Sequence, residues 1–171
     1  MTRIAATRRD VAIKHAWRMY APTASVLLAS LVVLLPVVAT SLIVPDFAFL
    51  VLVAWRLLRP EVWTPKAALA FGLFEDLVAG HPLGQSMALW TITFLAFEFL
   101  DAKLNFRDYW MDWLFAALAI IFHTFGSWYV ARLMGNSAPF AMMLPQLGLS
   151  ILGYPLVAHV VLAIDRWRLS R

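Results

Sequence analysis

The 171-residue chain has 63% apolar side chains and 14% charged ones, where a soluble domain carries about 45–50% and about 25%. That balance excludes an ordinary soluble globule and a disordered chain, and the lack of Cys excludes a disulfide scaffold or any site built on a thiol. The net charge is +4, from 14 Lys+Arg against 10 Asp+Glu, so the informative question is where the basic residues lie relative to a membrane.

Residues 1–20 hold Arg3, Arg8, Arg9, Lys14 and Arg18. Two readings fit: a flexible basic tail, or a surface helix on anionic lipid with Ile4, Val11, Ile13, Trp17 and Met19 as an imperfect apolar face. No nucleic-acid-binding motif is present, so no nucleic-acid partner is expected. From Ala21 to Pro45 there is no charge. A helix crossing the hydrocarbon needs about 20 apolar residues, so 21–45 is predicted as the first transmembrane helix, kinked at Pro36. The run is too long for a cleavable signal, and no clean Ala-x-Ala site follows it.

Residues 46–59 and 66–80 are apolar apart from Asp46, Arg56, Arg59, Lys66 and the Glu75–Asp76 pair. Each spans about 21 Å as a helix, which suits either two thin helices or one re-entrant hairpin. Residues 84–100 form a fourth apolar block and 113–131, holding His123, a fifth. Residues 133–164 are uncharged throughout, and 142–164 suffices for a sixth crossing.

Charge placement favours six crossings. Arg166, Arg168 and Arg171 follow the last block, so both chain ends are basic and belong in the cytoplasm. Six helices also put Arg56, Arg59, Lys66, Lys103 and Arg107 inside, leaving Arg132 as the one basic residue outside. A re-entrant hairpin would carry Arg56, Arg59 and Lys66 to the outer face. The predicted organisation is a basic cytoplasmic segment 1–20, a six-helix transmembrane domain 21–165 and a basic cytoplasmic tail 166–171.

Ionisable groups inside a span usually face the bundle interior, a partner or a watery cavity. Gly72, Asp76, Gly80 and Gly84 recur every fourth residue, which on one helix lines them along one face where another backbone can approach closely. Asp76 has a structural reading, accepting hydrogen bonds from amides of the following Gly-His-Pro-Leu-Gly turn, and a partner-contact reading. Glu75 is about 100° away on a helix, so the two acids do not make an opposed acid–base pair. His81 falls in the turn. His123 shares a face with Ala119 and Ser127, and its expected role is a hydrogen bond within the bundle; His159 has no acidic neighbour in sequence. No metal-hydrolase, phosphate-loop or nucleophile-elbow motif occurs. No catalytic residue, metal site or cofactor is therefore expected. Glu98, Asp101, Lys103, Arg107, Asp108 and Asp112 read as a solvated connection. Trp90, Tyr109, Trp110, Trp113, Trp128, Tyr129 and Trp167 read as interfacial aromatics.

The stretch 45–84 is more specific. It reads Pro45-Asp-Phe, an apolar run to Trp55, Pro60, then Gly72-x3-Asp76-x3-Gly80-x2-Leu83-Gly84. In that order and spacing it resembles the MreD family of rod shape-determining integral membrane proteins; Glu75 and the basic N-terminal extension depart from the pattern. The resemblance implies an all-α integral membrane protein, a six-transmembrane-helix bundle similar to the substrate-binding subunits of energy-coupling-factor transporters. It implies a non-enzymatic scaffold of the bacterial cell-elongation machinery in the inner membrane. The implied partners are an MreC-like bitopic protein and, through it, the MreB filament, the RodA polymerase and a class B penicillin-binding protein. Pro45, Trp55, Pro60, Gly72, Asp76, Gly80, Leu83 and Gly84 are then the partner-binding or bundle-shaping positions. Two other readings stand beside it. A vitamin-type transporter subunit would need a polar, aromatic-lined cavity opening outward; a membrane enzyme would work through Asp76 or His123.

Overall fold

The computed structural model describes residues 8–35, 44–103, 108–135 and 138–170, with side chains from 20 to 169. These residues form six α-helices: α1 (Arg8–Leu31), α2 (Phe47–Leu58), α3 (Pro65–Ala79), α4 (Gln85–Lys103), α5 (Tyr109–Leu133) and α6 (Leu144–Ser170). Short 3₁₀ turns at Val32–Leu34 and Phe140–Met143 follow α1 and precede α6. No strand occurs among the described residues.

Helix α1 starts inside the basic segment and runs on without a break into the first apolar block. From Arg8 onward neither a loose tail nor a separate surface helix forms. Charge does not stop backbone hydrogen bonding, and Ala, Arg, Lys and Met are strong helix formers. The helix ends at Leu31, well short of Pro45. The expected kink at Pro36 lies outside the described residues, as does Arg107. Pro22 removes one backbone donor within α1, and the Ser25 hydroxyl donates to its carbonyl at 2.7 Å.

Helix α2 is the axis of the bundle. Asp46 caps its start by accepting from the Phe49 amide at 3.0 Å, and Pro60 lies in the turn beyond its end. Nine of its 12 residues are buried, against α1, α6 and α5. At 12 residues it is about 18 Å long, too short for the hydrocarbon thickness of about 30 Å. Protein surrounds it, so its backbone ends need not reach water. Residues 46–59 and 66–80 thus form two distinct helices. Helix α3 packs chiefly on α4 and also meets α1, so α2 and α3 do not make a tight re-entrant hairpin.

By length and composition, α5 and the stretch Phe140–Leu169 are able to cross a membrane, while Tyr20–Leu34 and Phe47–Leu58 are shorter apolar helices. Leu114, Leu118, Phe125, Leu152 and Leu156 are exposed along α5 and α6, where lipid tails would lie. The C-terminal basic segment up to Ser170 is a continuation of α6. Tyr109, Trp110, Tyr129 and Trp167 are exposed, as interfacial aromatics are, but Trp90 is fully buried beside Phe49. Hydropathy placed Trp90 near a boundary; the packing of α4 turns it inward.

Candidate functional site

Three groups of polar residues stand out, one in the turn after α3 and one at each end of the bundle. In the turn, Asp76 is 1% exposed. Its Oδ2 accepts from the Gly84 amide and its Oδ1 from the Ser86 amide, both at 2.8 Å. One carboxylate thereby satisfies amides at the start of α4, which have no partner within their own helix. Gly72 is one turn earlier on α3. A Cβ built there would lie 2.5 Å from Met87 Cα and 2.6 Å from Met87 N, so α3 crosses the start of α4 backbone against backbone. Gly80 and Gly84 do something else. They have φ of 69° and 96° and nothing near an added Cβ, so they turn the chain through the left-handed region. The four-residue repeat therefore does not form one glycine-lined helix face: α3 stops at Ala79 and only Gly72 serves close approach. Leu83 is exposed.

The end of the bundle where α2 finishes is dense with ion pairs. Arg56, 5% exposed, pairs with Asp101 at 2.8 Å and lies over the Phe94 ring. Asp101 is thus a helix-tying acid, in contrast to the solvated charge expected from its loop-like sequence. Arg59 donates through Nε and Nη2 to Asp165 Oδ2 at 2.9 and 2.7 Å. These bonds and the Asp165 charge raise the Arg59 pKa above its ordinary value. Arg168 also donates to Asp165, at 2.5 Å, and covers the ring of Trp55. Trp55 is fully buried, with its Nε1 donating to Ser25 Oγ at 2.8 Å. It joins α1, α2 and α6.

The opposite end holds a cavity of about 280 Å³. It lies at the start of α2. Pro45, Asp46 and Phe49 supply its floor, with Glu75 of α3, His123 and Trp128 of α5, and Gln146 of α6 around it. The Nε2 of His123 accepts from Trp90 Nε1 at 3.2 Å and lies 3.7 Å from Asp46 Oδ2. Its ring stacks on Phe49 with centroids 4.2 Å apart. Glu75 is 3% exposed. It neighbours Ser30 and Asp46, yet Glu75 Oε2 and Asp46 Oδ2 are buried without a hydrogen-bond partner among the described residues. His81, with Nδ1 3.3 Å from Ser86 Oγ, also lines the space.

The sequence matches the family described as rod shape-determining protein MreD over residues 15–162. The chain belongs to the MreD family. It is a rod shape-determining membrane protein, and its all-helical architecture accords with that. Comparisons with curated proteins and with solved structures return no match.

Within this MreD-family bundle the positions singled out by sequence fall into separate places. Gly72, Asp76, Gly80, Leu83 and Gly84 cluster at the α3–α4 turn, Trp55 and Pro60 belong to the ion-paired end, and Pro45 borders the cavity. Sequence reasoning noticed Glu75 and His123 singly and did not connect them with Asp46. They stand on different helices, at separations of 29 and 77 residues from Asp46, and no spacing rule links them. The one available signal was that each is an ionisable group inside an apolar block.

Proposed function

We propose that this chain is a non-enzymatic scaffold of the bacterial cell-elongation complex in the inner membrane, binding an MreC-like bitopic protein. Through that protein it would be linked to the MreB filament, the RodA polymerase and a class B penicillin-binding protein. The observation that carries the reading is the family match, which takes in most of the chain. The α3–α4 turn supports it: the residues resembling the family pattern shape the backbone, through a capped helix start, a backbone crossing and two left-handed turns. A scaffold needs such a rigid surface more than a reactive group.

Both chain ends are assigned to the cytoplasm, with six crossings. Support comes from the segregation of charge, with Arg56, Arg59, Asp101, Asp165 and Arg168 at one end and Arg132 beyond the cavity at the other. The bundle is also read as similar to the substrate-binding subunits of energy-coupling-factor transporters, on helix number and on the cavity at one end. That cavity favours a second reading, capture of a small molecule by a transporter-type subunit, although its volume sits at the bottom of the usual ligand range of about 300–1,000 Å³.

The decisive experiment is purification of the tagged full chain from membranes, together with depletion in a rod-shaped host lacking a second copy. An MreC-like protein is expected to co-purify, and cells are expected to round up. Unchanged cell shape after complete depletion would reject the scaffold reading. A co-purified vitamin without an MreC-like partner would favour the second.

A further inference from the structure

The cavity holds a contradiction that its walls do not resolve. Two acids line it, Asp46 and Glu75, and no Lys or Arg lines it among the described residues. A buried carboxylate is costly unless paired or hydrogen-bonded. Asp46 spends one oxygen on the Phe49 amide, which answers the partial positive charge at the start of α2. Its other oxygen and Oε2 of Glu75 remain, both buried and without a hydrogen-bond partner among the described residues. His123 does not answer them with a proton at Nε2, because that nitrogen accepts from Trp90. The space thus presents acidic acceptor groups at one end, with Phe49 and Trp128 also among its walls.

We infer that this cavity is a binding site for a compact organic cation with N–H donors, a primary ammonium in particular, held between Glu75 and Asp46. The volume of about 280 Å³ suits a small molecule or a single headgroup amine. An anion would meet two acids and no Lys or Arg among the described lining residues. A metal ion is disfavoured by geometry, since no group of three His, Asp or Glu is placed to hold one among the described residues. An ammonium would complete the free acceptor atoms with its N–H donors. The site is independent of the scaffold reading, since it lies inside the bundle and a partner helix would use an outer face.

The test is thermal unfolding of the full chain in phosphatidylcholine nanodiscs, whose quaternary headgroup has no N–H donor. Millimolar n-butylammonium chloride is expected to raise the midpoint in a saturable way, while sodium butyrate is not. Glu75→Gln should weaken the apparent affinity at least tenfold. Ser127→Phe, which fills the cavity from α5, should abolish the shift and guards against a folding defect in the first variant. Discs containing phosphatidylethanolamine separate the two sources of the amine. If the headgroup is the occupant, they raise the midpoint of the unliganded protein and suppress the butylammonium shift, both through Glu75. No shift from either amine source in folded protein, or an equal shift with butyrate, overturns the site. Either result leaves co-purification of an MreC-like protein unaffected, so failure of the site and failure of the scaffold reading are distinguishable.

Discussion

The two ends of the bundle treat buried charge in opposite ways. Where α2 ends, Arg56 is matched by Asp101, and Asp165 receives both Arg59 and Arg168. Where α2 begins, Asp46 and Glu75 share a cavity with histidines and, among the described residues, no Lys or Arg. Charges matched within the chain tie helices together. Charges left open to a cavity make the bundle less stable than it would be with apolar residues there, and such positions are where function is to be sought.

The largest effect is expected between the ends, at Gly72. Gly72→Leu forces a side chain into the Met87 backbone, and neither helix can withdraw without losing the Asp76 cap. Folded protein should fall to a small fraction of wild type in membrane fractions; equal accumulation would show that the α3–α4 crossing is not required. The paired end comes next. Asp101→Asn strands the Arg56 guanidinium and should cost about 3–5 kcal/mol, as breaking a buried pair does. The double variant Arg56→Met with Asp101→Leu should recover most of that, measured as resistance to unfolding in detergent. If the single variant is silent, this end is not held by its ion pairs.

Asp76→Asn is expected to be intermediate, about 1–3 kcal/mol. Both carboxylate oxygens accept amides, and an Asn offers one acceptor and points an NH₂ group at the other amide. The same unfolding measurement checks it. At the cavity end, Glu75→Gln should be the mildest of the four, within about 1 kcal/mol of wild type or stabilising, because it replaces a buried acid with a neutral amide where no described Lys or Arg lines the space. A loss as large as that of Asp101→Asn would break the contrast between the ends and show that Glu75 is paired in the folded protein.

Much of the helix inventory was legible in the sequence. The apolar blocks from residue 46 onward correspond to α2 to α6, and Pro60 and the Gly80–Gly84 turn were visible as punctuation. The ends of α1 were not legible. Hydropathy reports where a segment is apolar, whereas a helix stops where its backbone bonds find other partners, so α1 begins among arginines and ends before the apolar run does. The burial of Trp90 was missed for a related reason: an aromatic near the edge of an apolar block looks alike whether it faces lipid headgroups or a neighbouring helix.

By itself the sequence determined the membrane class, the family and the uneven placement of basic residues, because these follow from composition and from local spacing. It also pointed to Asp76 as a turn-capping acid, since the acceptor and its turn are only eight residues apart. The tertiary structure alone decided that α2 is a short central helix, that Gly72 differs in role from Gly80 and Gly84, and that Asp46, Glu75 and His123 surround one space. Those three residues are far apart in the chain and meet because the start of α2 and the helices α3 and α5 border one space. Periodicity describes one helix at a time. Which side chains face each other across a gap is set by how helices pack.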